Sequence, residues 1–476
     1  MNRSSGNPSP PDAAARAAER LRRHPWPEEL LHALIGLRAG GHQAYLVGGS
    51  VRDVLLERPQ GDLLDVATDR LPAEVTAMFP RVEPIGLAHG TVLVLLERVR
   101  LECTTFRREG EYRDARHPDH VDFTRDLRAD LARRDFTLNA LAFDPLSGVL
   151  VDAHGGLEDL VARRLRAVGE PLARFREDAL RPVRAARLAA TLELEVEEAT
   201  RAALGGVVDR ARLVAVERVR EELARLMQAP RPSVGYELLR EAGLVELWMP
   251  ELARCRGVPQ NRWHAYDVYL HSLYSCDSAP AEKPAVRWAA LLHDVGKPDT
   301  RAERRGEGTF YGHQIVGAEM VGRMLERLRF PGDLKAAVVH LVREHMFDYR
   351  PQWSDAALRR WVRRVGEGAV ADLFDLRIAD ALGNSLRAGF PSQLEAMRRR
   401  IERLLAESHA LTVRALAVDG RDVMRVLGTP PGPAVGRALE ALLQEVLDHP
   451  ERNDRERLLA RLAEWRDARP QEPSDA

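Results

Sequence analysis

Lysine is almost missing from this chain: of 71 basic residues only Lys283, Lys297 and Lys335 are not arginine. Arginine is therefore the default cation, which lowers the weight of any single arginine as a functional signal and raises that of a lysine kept inside a motif. Cysteine is nearly as scarce. Cys103, Cys255 and Cys276 are scattered, without the paired spacing of a cysteine zinc site or the even count of a disulfide framework, so a reducing cytoplasm is the expected compartment. No window approaches a membrane span, and the opening "MNRSSGNPSPPDAAARAAERLRRHPWP" has no apolar run of signal-peptide length, so no membrane partner is expected. Charge of one sign is also lacking: the net charge is −1, and a nucleic-acid surface would have to be a local basic patch. No fixed-period repeat is evident.

What is present is a globular composition, 45% hydrophobic and 30% charged over 476 residues, and a length that implies roughly two to four domains. Residues 1–26 begin Ser/Pro/Asn/Gly-rich and are expected to be disordered, as is the end of the chain at 471–476. From 27 to 154 short apolar runs alternate with turns; "AYLVGG", "DVAT", "GTVLVLL", "RLECTTF" and "LNALAFDP" read as strands of an α+β domain, with helices in "VRDVLLE" and "LPAEVTAMF". Beyond 155 the period becomes helical and strand signal almost vanishes. Pro, Gly and Asn near 250–262 mark a boundary, dividing a helical segment at 155–255 from a histidine-rich helical block at 256–390. Amphipathic helices fill 391–470.

Two features of the first domain point to phosphate chemistry. In "LVGGSVRDVLL" a strand ends in Gly48-Gly49-Ser50 and enters a helix, which presents backbone N–H groups to an anion with no Cβ in the way. About a dozen residues later comes "GDLLDVAT", with Asp62 and Asp65 three apart. On a strand, residues i and i+2 share a face whereas i and i+3 diverge. Glu102 in "RLECTTF" offers a third carboxylate on a neighbouring strand. Carboxylates beside a phosphate turn can hold Mg²⁺ ions bridged to a nucleoside triphosphate, activating a hydroxyl and stabilising leaving pyrophosphate.

"LVGGSVRDVLL", "DVAT", "RRDFTLNALAFDP", "REDALRPVRAARLAA" and "ERVREELARLM" together resemble the bacterial class II tRNA nucleotidyltransferase (CCA-adding enzyme) and poly(A) polymerase family, over about residues 40–250. The resemblance implies an α+β polymerase-β-like nucleotidyltransferase head followed by an all-α neck and body, an HD domain and tail helices. It also implies Mg²⁺ in the head, CTP and ATP as substrates, and the tRNA acceptor arm as partner. One departure stands out. The family usually has Asp-x-Asp before hydrophobic-Ala-Thr, which would align Leu63 and Asp65. Either a one-residue bulge at Leu63-Leu64 returns Asp62 to the metal face, or only Asp65 and Glu102 serve. The linker in "RPQGDLLDVAT" is one residue longer than usual, which favours the bulge.

By the same resemblance Arg134, Asp135 and Asn139 contact the triphosphate and ribose, together with Gly48, Gly49, Ser50, Arg52, Arg107 and Arg184; an arginine fork suits a phosphate, and Asp135 can also be read as a helix N-cap. "REDALR" is read as helix, which sets Asp178 and Arg181 on one face at i and i+3. A carboxylate accepts from an exocyclic amino group and a guanidinium donates to a ring nitrogen. Cytosine and adenine offer both, whereas uracil and guanine present a carbonyl instead. The polar "REGEYRDARHPDHVDF" is consistent with the flexible loop that complete CCA-adding members retain.

In the histidine block, His293-Asp294 within "LLHDVGK", with His271 upstream and Asp380 downstream, resembles the HD superfamily of metal-dependent phosphohydrolases. His313 and His345 stand where some HD proteins add ligands, and Lys297 completes the motif. Such a donor set suits Mn²⁺, Mg²⁺ or Ni²⁺, and the metal would activate water against a phosphoester. The expected function is untemplated addition of CMP, CMP and AMP to the tRNA 3′ end, with an HD phosphohydrolase beside it. CC-adding, A-adding and poly(A) polymerase forms, and an RNA-binding protein with an inactive head, remain the alternatives. No oligomeric state is assigned.

Overall fold

Helix formation begins earlier than the composition suggests. The computed structural model describes residues 10–87, 90–109, 121–260, 265–304, 307–347, 352–384, 392–406 and 412–468, and its first element is a helix, Pro10–Arg23. The disorder expected over 1–26 is thus corrected for this stretch: Ala17 and Leu21, four apart and so on one helical face, are buried. Residues 1–9 and the tail from 469, which includes the segment 471–476, lie outside the described residues. The chain divides into two units, one reaching to Ala253 and including Glu326–Phe330, the other made of Arg254–Leu325 and the residues from Pro331 on.

Up to residue 152 the described residues of the first unit form nine strands: β1 (Ala44–Val47), β2 (Leu63–Thr68), β3 (Val82–Gly86), β4 (Thr91–Leu95), β5 (Arg100–Thr105), β6 (Arg107–Glu109), β7 (Val121–Phe123), β8 (Leu141–Asp144) and β9 (Val149–Asp152). Seven form one sheet in the order β3-β4-β5-β2-β1-β8-β9, and β6 pairs with β7 separately. Strands β3, β6, β7 and β9 were not legible as apolar runs; β3 exposes Glu83, Pro84 and Ile85, so its residues carry little burial pattern. Within the seven-stranded sheet only β2 and β5 run parallel, because a helix at Pro72–Met78 and the β3-β4 hairpin intervene and return the chain in the same direction. That crossover sets two acid-bearing strands side by side. Beneath them Val47, Ala67, Phe106, Leu127, Leu131, Ala140, Ala142 and Val168 form a buried cluster.

Helix Arg181–Leu192 then buries Val183, Ala185, Ala186, Leu188, Ala189 and Leu192 against helices Val216–Leu226 and Pro232–Glu241. The approach is close. A Cβ on Gly235 would meet Leu226 at 2.5 Å and the Ala186 carbonyl at 3.0 Å. The helical reading beyond 155 needs two amendments: Arg164–Leu165 pairs in parallel with Glu195–Val196, and Ala302–Arg304 forms a hairpin with Glu307–Thr309.

In the second unit, helices Val268–Ser278, Pro284–Leu292, Gly332–Glu344 and Glu367–Leu382 pack together, with His313–Arg327 beginning beside them. The later helices close a separate core around Val423, Leu442, Leu443, Val446, Leu447, Leu458 and Leu462. No described helix is long and apolar enough to cross a membrane.

Candidate functional site

At the end of β1 the backbone of Gly48 takes φ 61°, where a Cβ is disfavoured and would also stand 3.1 Å from Asp65 Oδ2. The Gly49 N–H donates to Asp65 Oδ2 at 3.2 Å, and the Asp65 N–H donates to Ser50 Oγ at 2.7 Å. Glycine turn and acid strand are therefore one rigid piece. Because Asp65 and Glu102 are register partners of β2 and β5, their side chains emerge together into a cavity of about 530 Å³.

The same cavity is lined by the sequence-expected Gly48, Gly49, Arg52, Arg107, Arg134, Asp135, Asn139 and Arg184. Leu63 lines it too, and sequence reading missed Arg133, Arg187 and Arg225, which also line it; in a chain so rich in arginine nothing marked these three out. Seven arginines thus face three carboxylates, an excess of positive charge that suits a triphosphate. A relay orders this wall. Arg52 Nη1 donates to Asn139 Oδ1 at 2.6 Å, Asn139 Nδ2 donates to Asp135 Oδ1 at 3.0 Å, and Arg184 Nη1 donates to Asp135 Oδ2 at 3.1 Å. Burial alone would push the Asp135 carboxyl up, but the Arg184 charge and the Asn139 hydrogen bond outweigh it and hold the pKa below the ordinary value. Asp135 accepts from the Phe136 N–H at 2.8 Å; it does not cap a regular α-helix, since the turn that follows is a short 3-10 segment.

Asp62 does not join this site. Strands β2 and β5 pair without a shift from Leu63↔Arg100 to Thr68↔Thr105, so the expected bulge at Leu63-Leu64 is absent. The Asp62 carboxylate points outward, where Arg100 donates to it at 3.0 Å and 2.9 Å, and its backbone carbonyl accepts from the Arg100 N–H at 2.7 Å. The assignment of Asp62 as metal ligand and catalytic residue is corrected accordingly. Burial raises the pKa of both remaining acids, and the Asp65 charge raises that of Glu102 further. Two crowded, hard oxygen donors fit a divalent ion that takes its other ligands from substrate phosphates.

The pair expected to read the base needs a second correction. Asp178 is not on a helix with Arg181. It caps helix Pro171–Glu177 with extended backbone, φ −136° and ψ 106°, and Arg181 opens the next helix. The two nevertheless line one smaller cavity of about 200 Å³ with Arg218, Glu221 and Glu222. Arg184 and Arg225 line both cavities, so the two adjoin. Arg218 grips the Asp178 carboxylate at 2.8 Å and 3.3 Å. Arg181 is held by the carbonyls of Arg174 and Arg133 at 2.6 Å and 3.1 Å, and by Glu177. Arg218 was overlooked although it lies in "ERVREELARLM". Of "REGEYRDARHPDHVDF", residues 110–120 lie outside the described residues.

In the second unit the four expected ligands do converge. His271 Nε2 lies 3.0 Å from Asp380 Oδ1, and His293 Nε2 lies 3.2 Å from Asp294 Oδ2. His313 and His345, which stand where some HD proteins add ligands, belong to the cluster as well: their Nε2 atoms are 3.2 Å apart, and that of His313 is 3.3 Å from Asp294 Oδ1. The donors fall into two groups, His271, His293 and Asp380, and Asp294, His313 and His345, each within 4.8 Å. Four imidazoles and two carboxylates, nearly all buried, are a costly arrangement without a cation. The Nδ1 atoms of His293, His313 and His345 face the carbonyls of Ala290, Phe310 and Val342 at 2.9, 2.7 and 2.7 Å, which turns each Nε2 inward as a metal ligand requires. Burial and the His293 charge push His345 down to about 3, which favours the neutral imidazole that a metal would need. Burial would raise Asp294, but the charges of His293 and Lys297 hold it well below its ordinary value. Lys297 Nζ donates to Asp294 Oδ2 and to Gln260 at 2.6 Å each, beside a cavity of about 450 Å³.

Residues 44–166 match the family described as poly A polymerase head domain, residues 193–255 the probable RNA and SrmB-binding site of polymerase A, and residues 263–385 the HD domain. Joined to the acid pair and its arginine-lined cavity, these matches define the class: a nucleotidyltransferase with an HD domain. The chain is 33% identical to the CCA-adding enzyme of Geobacillus thermodenitrificans over 92% of its length and 96% of that protein, and 33% identical to that of Streptococcus gordonii over 92% and 97%. The solved structure of the Bacillus stearothermophilus CCA-adding enzyme in complex with CTP is similar at 30% identity and TM-score 0.69, over 92% of this chain and 97% of that one. The chain belongs to the CCA-adding enzyme family.

Proposed function

We propose that the head adds CMP, CMP and AMP, from CTP and ATP, to the 3′ end of tRNA without a nucleic-acid template. The observation that carries this reading is the Asp65–Glu102 pair at the glycine turn, inside an arginine-lined cavity that continues into the Asp178 and Arg181 cavity. Arg52, Arg107, Arg134 and Arg184 bind and align the triphosphate. Asp65 and Glu102 would hold a Mg²⁺ ion, which would supply Lewis-acid charge to the triphosphate. Asp178 accepts from the exocyclic amino group of cytosine or adenine; the Arg218 clamp fixes the direction in which its carboxylate points, and Arg181 donates to the ring. Local arginine patches of the helical body grip the acceptor arm. A cytoplasmic setting suits a tRNA substrate and three buried cysteines that form no disulfide.

The buried His/Asp cluster supports a second activity, hydrolysis of a phosphoester, with Asp294 grouped with His313 and His345 and its other oxygen 3.2 Å from His293, and with Mn²⁺, Mg²⁺ or Ni²⁺ as the ion. The test of the first reading is direct. Purified chain is incubated with tRNA transcripts ending before the terminal CCA, after its first C and after its second C, with CTP, ATP or both, and the 3′ ends are sequenced. Completion of CCA on all three is expected. A stop after CC, addition of A alone, or a homopolymer tail would each replace this reading with a narrower one.

A further inference from the structure

The cavity position that adjoins Asp65 along its own strand is filled by a hydrocarbon. Side chains alternate along β2, so Leu63 and Asp65 share a face while Leu64 and Val66 turn into the core, where each is at most 2% exposed. Leu63 is 41% exposed and opens onto the same cavity as Asp65 and Glu102. A carboxylate there would be the third of a set able to hold a divalent ion by protein oxygens. Asp62 cannot substitute for it, being one residue out of phase and paired with Arg100 outside.

Charge points the same way. Seven arginines and three carboxylates line the cavity, and with Asp53, Asp130 and Glu222 paired to Arg52, Arg133, Arg134 and Arg187 a positive excess still remains, so a free dication finds no net attraction until a triphosphate brings its own negative oxygens. We propose that Leu63 withholds a third carboxylate from the head, so that its divalent ion is acquired together with the nucleoside triphosphate and not held beforehand. This rests on the reading of the head as a nucleotidyltransferase. It assigns Leu63 a specific part, setting the order in which ion and nucleotide bind.

The experiment is a Mn²⁺ titration of the full chain read by the electron paramagnetic resonance of free Mn²⁺, with and without CTP and in the absence of tRNA. The HD cluster contributes the same background throughout. Without nucleotide, the chain and its Asp65→Asn variant are expected to bind equally; CTP adds an ion to the former that the latter lacks. Leu63→Asp is expected to hold an Asp65-dependent ion without nucleotide, at least about tenfold tighter than the parent head, as an added anionic ligand does. An Asp65-dependent ion already present in the nucleotide-free parent would overturn the inference, and so would a folded Leu63→Asp that titrates like the parent. If Leu63→Asp loses its cooperative thermal transition, the parent and Asp65→Asn comparison decides alone. tRNA extension is scored in parallel. A parent that extends tRNA yet holds its ion beforehand refutes the Leu63 inference only; one that binds Mn²⁺ as expected but extends nothing refutes the transfer reading only.

Discussion

Replacing Asp130 by asparagine tests whether the phosphate cavity depends on a charge that never touches substrate. The Asp130 side chain is fully buried and accepts from Arg133 Nε and Nη2 at 2.9 Å and 2.8 Å and from Arg134 Nη2 at 3.1 Å. It thereby fixes two arginines that line the cavity. Asparagine keeps the shape, removes the charge and turns an N–H towards a guanidinium. Removing one partner of a buried ion pair costs about 3–5 kcal/mol, and because both guanidinium groups keep some contact with solvent the lower figure applies. Arg134 loses its anchor, and weakening one charge-assisted hydrogen bond to phosphate, about 1.5–3 kcal/mol, raises the KM for CTP roughly 10- to 100-fold. Burial would raise the Asp130 pKa, but the charges of Arg134 and Arg133 outweigh it and hold it below 3.8. A depressed carboxylate stabilises the fold above its unfolded pKa and ceases to do so as pH falls through the folded value. The penalty of Asp130→Asn is therefore full at pH 7 and shrinks below pH 3.8. Because two units need not unfold together, the assay is amide hydrogen exchange in helix Leu127–Ala132, at neutral and at acid pH, with CTP kinetics at neutral pH. Equal loss of protection at both pH values, or an unchanged KM, refutes the reasoning.

Arg218→Met releases the Asp178 carboxylate from its two bonds, and the preference for CTP over UTP in single-nucleotide addition is expected to fall about 10- to 100-fold. Gly296→Ala sets a Cβ 2.3 Å from the His313 carbonyl and 2.6 Å from the Gly317 nitrogen; both are backbone, so helix His313–Arg327 must shift, and bound metal measured by mass spectrometry should drop together with the melting temperature. Removing metal with EDTA is expected to abolish hydrolysis of bis(p-nitrophenyl) phosphate and to lower the thermal stability of the HD region. Asp294→Ala should reproduce both effects even with metal restored, because both ligand groups converge on that carboxylate.

How much of this was legible in the sequence differs by element for physical reasons. The glycine turn and Asp65 could be found because their chemistry demands those residue types at short spacing, whereas Glu102, His271, His293, Asp294 and Asp380, spread along the chain, were picked out by neighbouring-strand chemistry and by the resemblance to the HD superfamily. Arg133, Arg187 and Arg225 could not, since a chain whose basic residues are nearly all arginine gives no contrast by which to choose among them. The Asp178–Arg218 contact joins residues 40 apart in sequence, and only the packing of helix Val216–Leu226 against Arg181–Leu192 creates it. The helical reading of "REDALR" failed because the Asp178 side chain accepts from the Leu180 N–H, a local bond that competes with continuing the helix.

The spacing of Asp62 shows how a single residue decides a site. Strand side chains have period two, so moving an acid by one place transfers it from one face to the other. Deleting Leu64 should reverse this. Leu63 would then fall on the buried position now filled by Leu64, and leucine replaces leucine in the core. Asp62 would fall on the cavity position now filled by Leu63, two residues before Asp65. The cost is confined to the surface: the Asp62 and Arg100 pair is exposed, and the loop before β2, exposed at Glu57, Arg58, Pro59 and Gly61, must span about 3.3 Å more. The deletion variant is therefore expected to fold with an unchanged melting temperature to within a few degrees, and to bind Mn²⁺ without nucleotide as Leu63→Asp does. Wild-type Mn²⁺ binding in a folded deletion variant would mean that register along β2 does not govern the acid set, and the assignment of Leu63 to the metal face would fall with it.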